Sequence, residues 1–166
     1  MEKVVLAFSG GLDTSFCVPY LKNEKNLEVH TVMVNTGGFS KEEEKRIEEQ
    51  ALALGAKSHT TVDAVETYYQ KGIKYLIFGN ILKNSTYPLS VSSERVFQAL
   101  EVLKLVKKLG AGYVAHGSTG AGNDQVRFDL VFEVLAPEVK ILAPIRELEI
   151  ARKDEVDYLV KHGFNF

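Results

Sequence analysis

The feature that most constrains this chain is a turn. Ser9-Gly10-Gly11-Leu12-Asp13-Thr14-Ser15 follows the apolar run Val4-Val5-Leu6-Ala7-Phe8 and opens a helical pattern. Two adjacent glycines let the backbone bend sharply and come close to a ligand. The first N–H groups of the helix that follows have no partners inside the helix and point at whatever sits above them, so such a strand-turn-helix can cradle phosphate. Ser9, Thr14 and Ser15 add three hydroxyl groups at the same place. No lysine follows the glycines, so this is not the G-x-x-x-x-G-K-[ST] loop, and the G-x-G-x-x-G dinucleotide pattern is absent as well. Phosphate charge must then be met by backbone dipoles, by a metal ion or by basic groups elsewhere in the chain.

The alternation of apolar runs with helical patterns predicts an α/β fold with a mostly parallel sheet. Strands are expected at Lys3 to Phe8, Glu28 to Asn35, Lys57 to Val62, Gly112 to Ala115 and Val139 to Leu142. Helices are expected at Asp13 to Glu24, Lys41 to Leu54, Glu94 to Leu109 and Lys153 to His162. Ser40 and Glu43 form a capping box for the second helix and Gly55 stops it. From Ala64 to Ser93 the pattern weakens, and it reads as a helix to Leu76 followed by an irregular loop; Tyr68, Tyr69, Tyr75 and Phe78 read there as packing residues.

With 166 residues, 45% apolar and 25% charged, the chain suits one domain, residues 1–166. A net charge of −2 gives no reason to expect a nucleic-acid surface. Cys17 is the sole cysteine, which excludes an internal disulfide and fits a reducing compartment. It reads as a small core residue, because no neighbour marks it as a low-pKa thiol. The start Met1-Glu2-Lys3 runs into the first strand without a signal-like segment, and no stretch is apolar for long enough to span a bilayer. A cytoplasmic location with no membrane partner is therefore expected. His30, His59 and His162 lack metal-ligand spacing, so no protein-held metal is expected.

A second motif, His116-Gly117-Ser118-Thr119-Gly120-Ala121-Gly122-Asn123-Asp124-Gln125-Val126-Arg127-Phe128, follows the fourth strand. Asn123 and Gln125 offer amides, Asp124 can accept from an ammonium, and Arg127 can grip a carboxylate through two parallel bonds. Those groups complement an amino-acid zwitterion. The plainer reading is a glycine-rich turn with Asn123 and Asp124 as a helix cap. In an open parallel sheet, ligands bind at the carboxyl ends of the strands where the winding reverses. If the sheet order is 3-2-1-4-5, the loops after the first and fourth strands face each other there.

S-G-G-L-D-T-S resembles the pyrophosphate-binding loop of the ATP-pyrophosphatases, and its Leu-Asp-Thr form looks most like argininosuccinate synthase. The second motif is similar to the H-G-x-T-G-x-G-N-D-Q-x-R-F pattern of that family. Tyr87 to Arg95 falls where the family has a tyrosine and a serine that contact citrulline. Asn35-Thr36-Gly37-Gly38 stands where Ile-Gly-Gln is common, and Val96 replaces a frequent proline.

The resemblance implies a doubly wound, Rossmann-like sheet of five parallel strands with helices on both faces. It implies ATP-dependent ligation of L-citrulline and L-aspartate to argininosuccinate, with release of AMP and pyrophosphate, in arginine biosynthesis. Ala7, Phe8, Ser9, Gly10, Gly11, Leu12, Asp13, Thr14, Ser15, Met33 and Gly117 would hold ATP. Tyr87, Ser92, Asn123 and Arg127 would hold citrulline, and Thr119, Asn123 and Asp124 would hold aspartate. Asp13, Asp124 and Arg127 are the candidate catalytic residues. Asp13 is explained either as a helix cap facing away from phosphate or through a Mg2+ ion bound with ATP. His116 is expected to shape its loop. The family's further domain, which adds citrulline contacts and oligomer-forming segments, has no counterpart in these residues, so a truncated chain and an inactive isolated domain are expected; the full-length protein would be a homo-oligomer, a tetramer by resemblance. Another ATP-pyrophosphatase, tRNA-modifying or amidotransferase-type, and a non-catalytic nucleotide-binding module are the alternatives.

Overall fold

In this computed structural model the described residues are 1–80 and 82–164, and the side chains of Lys83, Tyr87, Pro88 and Val91 lie outside the description. The chain runs β1 (Lys3–Ala7), α1 (Leu12–Asn23), β2 (Glu28–Asn35), α2 (Lys41–Ala53), β3 (Ser58–Asp63), α3 (Val65–Tyr68), a π-helical turn (Tyr69–Ile73) and α4 (Lys74–Phe78). It continues through β4 (Leu82–Lys83), β5 (Tyr87–Pro88), α5 (Ser90–Leu109), β6 (Tyr113–Ala115), α6 (Asp124–Leu135), β7 (Lys140–Leu142), α7 (Pro144–Leu148) and α8 (Arg152–Lys161). The main sheet is parallel with order β3-β2-β1-β6-β7, which is the expected 3-2-1-4-5 once the antiparallel β4/β5 ribbon is set aside.

β1 is central because its side chains are apolar on both faces. Val4 and Leu6 pack with Phe16, Cys17 and Leu21 of α1, Ile47 and Ala51 of α2, and Leu159 of α8. Val5 points the other way, into Val102 and Val106 of α5 and Phe128 and Phe132 of α6. Each fully buried side chain of this size contributes roughly 1.5–3 kcal/mol of hydrophobic stabilisation. α2 begins with the expected capping box: the Glu43 N–H donates to Ser40 Oγ at 3.2 Å, and the Ser40 N–H donates to Glu43 Oε2 at 2.8 Å.

Several local expectations are corrected. Asp124 to Leu135 is helical, outside the helices expected from the sequence; Asn123 is its N-cap, as the plainer reading of the motif has it, though without a side-chain cap bond, and α7 is a further helix. The segment after Leu76 carries the β4/β5 ribbon instead of an irregular loop, and α5 starts four residues before Glu94, at Ser90. Tyr68 does pack, against Phe97, but Tyr69, Tyr75 and Phe78 are exposed. No helix among the described residues is long and apolar enough to cross a membrane.

α8 lies against α1, and there the core contains a carboxyl. Glu155 is 1% exposed and its Oε2 has no hydrogen-bond partner. Burial first, and then the nearby Asp13, push its pKa from 4.5 up to about 7, while Arg152 opposes the shift. An oxygen that carries a proton can donate to the Asp13 carboxylate, which removes the orphan. Cys17 beside them is wholly buried, and burial, followed by Glu155, Asp13 and Glu147, raises its thiol pKa well above the ordinary value.

The folded-state pKa of Glu155 lies above its unfolded value, so the stability that its protonation brings is complete below about 4.5 and is lost as pH rises through about 7. Thermal unfolding from about pH 5.5 to about pH 8.5 should therefore show a melting temperature that falls by several degrees, and Glu155→Gln should remove most of that slope. An unchanged slope in the variant would assign the pH dependence to other groups.

Candidate active site

The turn after β1 is shaped by one glycine and supplied by the other. Gly10 has φ +76°, and a Cβ there would lie 2.9 Å from Ile47 Cγ1 of α2, so both backbone and packing exclude a side chain. Gly11 has φ −76° and is the N-cap of α1 without a side-chain cap, which leaves the first N–H groups of the helix free. Thr14 Oγ1 donates to the Gly11 carbonyl at 3.1 Å and lies 3.3 Å from Ser9 Oγ, holding the two hydroxyls side by side. Asp13 does not cap the helix. It lines the cleft above the turn.

The loop after β6 meets this turn. A Cβ on Gly117 would lie 3.0 Å from Thr14 Cγ2, 3.2 Å from Thr14 N and 3.3 Å from the Asp13 carbonyl carbon, so only glycine lets the two backbones approach this closely. The loop is fixed from below. Nδ1 of His116 accepts the Ser118 N–H at 3.2 Å, so the proton sits on Nε2, which donates to Asp129 Oδ1 at 3.0 Å. Burial lowers the His116 pKa against the pull of Asp129, which keeps the ring neutral. Arg146 donates to Asp129 Oδ2 at 2.5 Å and to Gln125 Oε1 at 3.0 Å, and Gln125 Nε2 donates to the carbonyls of Gly120 and Gly122 at 2.7 and 3.2 Å.

Between the two loops lies an open cleft of about 870 Å3, within the usual size of a ligand site. Of the residues assigned to ATP from sequence, Ala7, Phe8, Ser9, Gly11, Leu12, Asp13, Thr14, Met33 and Gly117 line it. Gly10 and Ser15 do not. Ser15 is fully buried and turned to Gln50, whose Nε2 donates to its Oγ at 2.9 Å and to the Gly10 carbonyl at 3.1 Å; its hydroxyl braces the turn from behind. Thr119, Asn123, Asp124 and Arg127 line the same cleft. Ser92 does not; its hydroxyl donates to the Leu89 carbonyl at 3.2 Å, and the Tyr87 side chain is outside the described residues.

Glu94, Arg95, Gln98 and Arg152 also line the cleft and were absent from the sequence assignment. Arg95 Nε donates to Asp124 Oδ2 at 3.0 Å while Arg127 Nη1 donates to Oδ1 at 2.6 Å. Partial burial pushes the Asp124 pKa up, but the two guanidinium groups outweigh it and hold the carboxyl below its ordinary value. Asp124 is thus ionised at the mouth of α6. Thr36 Oγ1 donates to Glu94 Oε1 at 2.6 Å, which ties the loop after β2 to α5. That loop is organised by buried Asn35, whose Nδ2 donates to the Phe39 carbonyl and to Glu44 Oε1 and whose Oδ1 accepts from Gly37 N at 2.8 Å. The departure at Asn35-Thr36-Gly37-Gly38 therefore has a structural basis.

A family model described as the arginosuccinate synthase N-terminal HUP domain matches residues 3–165. An argininosuccinate synthase of Saccharolobus solfataricus is 46% identical over 161 residues, covering 97% of this chain and 41% of the relative. One from Xanthomonas campestris pv. campestris is 46% identical over 167 residues, with 98% and 41% covered. One from Pyrobaculum aerophilum is 41% identical over 162 residues, with 98% and 40% covered. The chain spans about two fifths of the length of the curated relatives it matches.

The adjacent glycines of the turn should respond unequally to the same change. Gly10→Ala is expected to cost about 2–3 kcal/mol in urea unfolding, through its positive φ and the clash with Ile47, and Gly11→Ala under about 1 kcal/mol. Equal losses at the two positions would contradict this account of the turn.

Proposed function

This chain belongs to the argininosuccinate synthase family, and from that premise we propose that it is the nucleotide-holding part of an enzyme that joins L-citrulline to L-aspartate at the expense of ATP. One observation carries the reading: the phosphate-cradling turn after β1 and the Asn123/Asp124/Arg127 cluster after β6 line a single cleft, and Gly117 brings their backbones together. In the proposed reaction the ureido oxygen of citrulline attacks the α-phosphorus of ATP and pyrophosphate leaves with the electrons of the broken P–O bond. The aspartate amine then attacks the ureido carbon, AMP departs, and the amine proton is given up to form argininosuccinate.

The chain's own work is positioning and charge placement. Ser9, Gly11, Thr14 and the free N–H groups of α1 would hold the β- and γ-phosphates, and Ala7 and Met33 the adenosine. Thr119, Asn123 and ionised Asp124 would receive aspartate, the last through its ammonium. Asn123 and Arg127 would orient citrulline, with Tyr87 and Ser92 assigned to it by motif position alone. The residues suit a Mg2+ carried in with the phosphates: Asp13 offers a carboxylate at that end, and Mg2+ characteristically takes one or two carboxylates besides phosphate oxygens and water. Bound there, the ion would offset phosphate charge. Completion of the citrulline side by the family's further domain, assembly as a homo-oligomer and a cytoplasmic setting belong to the same proposal.

The 166 residues alone should bind ATP and turn over little. The native protein as its gene encodes it, given ATP, citrulline and aspartate, should release pyrophosphate, AMP and argininosuccinate in equal amounts. Arg127→Ala and Asp124→Asn should each lower kcat/KM by roughly 100-fold, the loss expected for one partner of a desolvated charge contact, while ATP binding changes far less. No pyrophosphate release with all three substrates present would overturn the proposal.

A further inference from the structure

The phosphate turn lacks the lysine that a P-loop places after its glycines, so any side-chain cation for the outer phosphates comes from another part of the chain. Three arginines line the cleft: Arg95, Arg127 and Arg152. The first two are committed to Asp124, at 3.0 and 2.6 Å. Arg152 makes no ion pair among the described residues and lines the cleft together with Leu12, Asp13 and Thr14 of α1. It projects from the first residue of α8, the helix that packs on α1.

That position is a poor one for a cation on stability grounds. The N-terminal end of a helix carries a partial positive charge and favours acidic side chains, which α8 supplies at Asp154 and Glu155. The guanidinium there forms no ion pair, and its pull on buried Glu155 is outweighed by the burial that raises that carboxyl. The same placement suits an anion in the cleft, because a planar fork of N–H donors matches phosphoryl oxygens in pairs.

We propose that Arg152 binds the β- and γ-phosphoryl oxygens of the nucleotide, supplying from α8 the positive charge that a P-loop takes from its own lysine. This rests on the reading of the cleft as an ATP site. It makes the pyrophosphate end of the site a joint product of α1 and α8, two helices separated by most of the chain.

Equilibrium dissociation constants for ATP, AMP and adenosine, measured on the 166-residue chain with Arg152→Ala, Arg152→Lys and the neighbouring Lys153→Ala, test it. Arg152→Ala should weaken ATP by roughly 10- to 100-fold, the range for a lost charge-assisted contact, and AMP by less than about 3-fold. Arg152→Lys should recover part of the loss, and Lys153→Ala, which removes a cation outside the cleft, should change none of the constants. A variant that is merely misfolded would lose adenosine as well, and unchanged adenosine binding excludes that. If the unaltered chain prefers ATP to adenosine and Arg152→Ala keeps that preference in full, Arg152 has no phosphate role and the cleft reading stands. If the unaltered chain binds ATP no better than adenosine, the reading of the cleft falls and the role of Arg152 with it.

Discussion

Everything at the cleft depends on the pairing of β1 with two neighbours that wind away from it in opposite directions. Val5 is in register with His30 of β2 on one side and Val114 of β6 on the other, so the chain leaves β1 and β6 at the same end of the sheet, side by side. Two helical layers bury Val4, Val5 and Leu6 completely, and a strand held on both edges and both faces has no room to slip. Gly117 is where this constraint becomes local: the turn of one strand rests on the loop of the other with no side chain between them.

Fixing the strands does not by itself fix the loop of eight residues between β6 and α6, and the polar groups beneath β6 supply the rest. His116, Asp129, Arg146 and Gln125 form a chain that begins at the Ser118 amide and ends at the Gly120 and Gly122 carbonyls. Each donor in it meets an acceptor, so little of its burial is left uncompensated. The glycines of the loop therefore give close approach without giving up order. Asp124 shows the complementary arrangement: two guanidinium groups outweigh the upward push of its partial burial and hold its carboxyl below the ordinary value.

Strand positions were legible because buried parallel strands are written as apolar runs, and Glu28 to Asn35 was read without error at either end. The start of α2 was legible because Ser40 and Glu43 cap each other. α6 was missed for a physical reason. Phe128, Val131 and Phe132 face the core, but Val126, Leu130 and Val134 are exposed on the same helix, so no single apolar stripe stands out, and its first turn is spent on the ligand motif. The motif residues themselves were readable in place. Arg95 and Arg152 were not, since each reaches the cleft from a helix far along the chain and only the packing of α5 and α8 shows where it points. Charge alone did not single out Arg152, because Lys153 stands beside it at the same helix start and does not line the cleft.

Cys17 sits wholly buried in the seam between α1 and α8, one turn beyond Asp13. A thiol-specific reagent can reach it only in molecules whose seam has parted, because the folded state offers no path and the raised pKa leaves no thiolate to react. The rate of labelling, divided by that of a free thiol, is then the equilibrium for all openings that expose this side of α1, and the chain's own thiol is the only reporter it needs. Since the phosphate turn begins α1, that rate sets an upper limit on how often the helix that carries the turn comes away from the core.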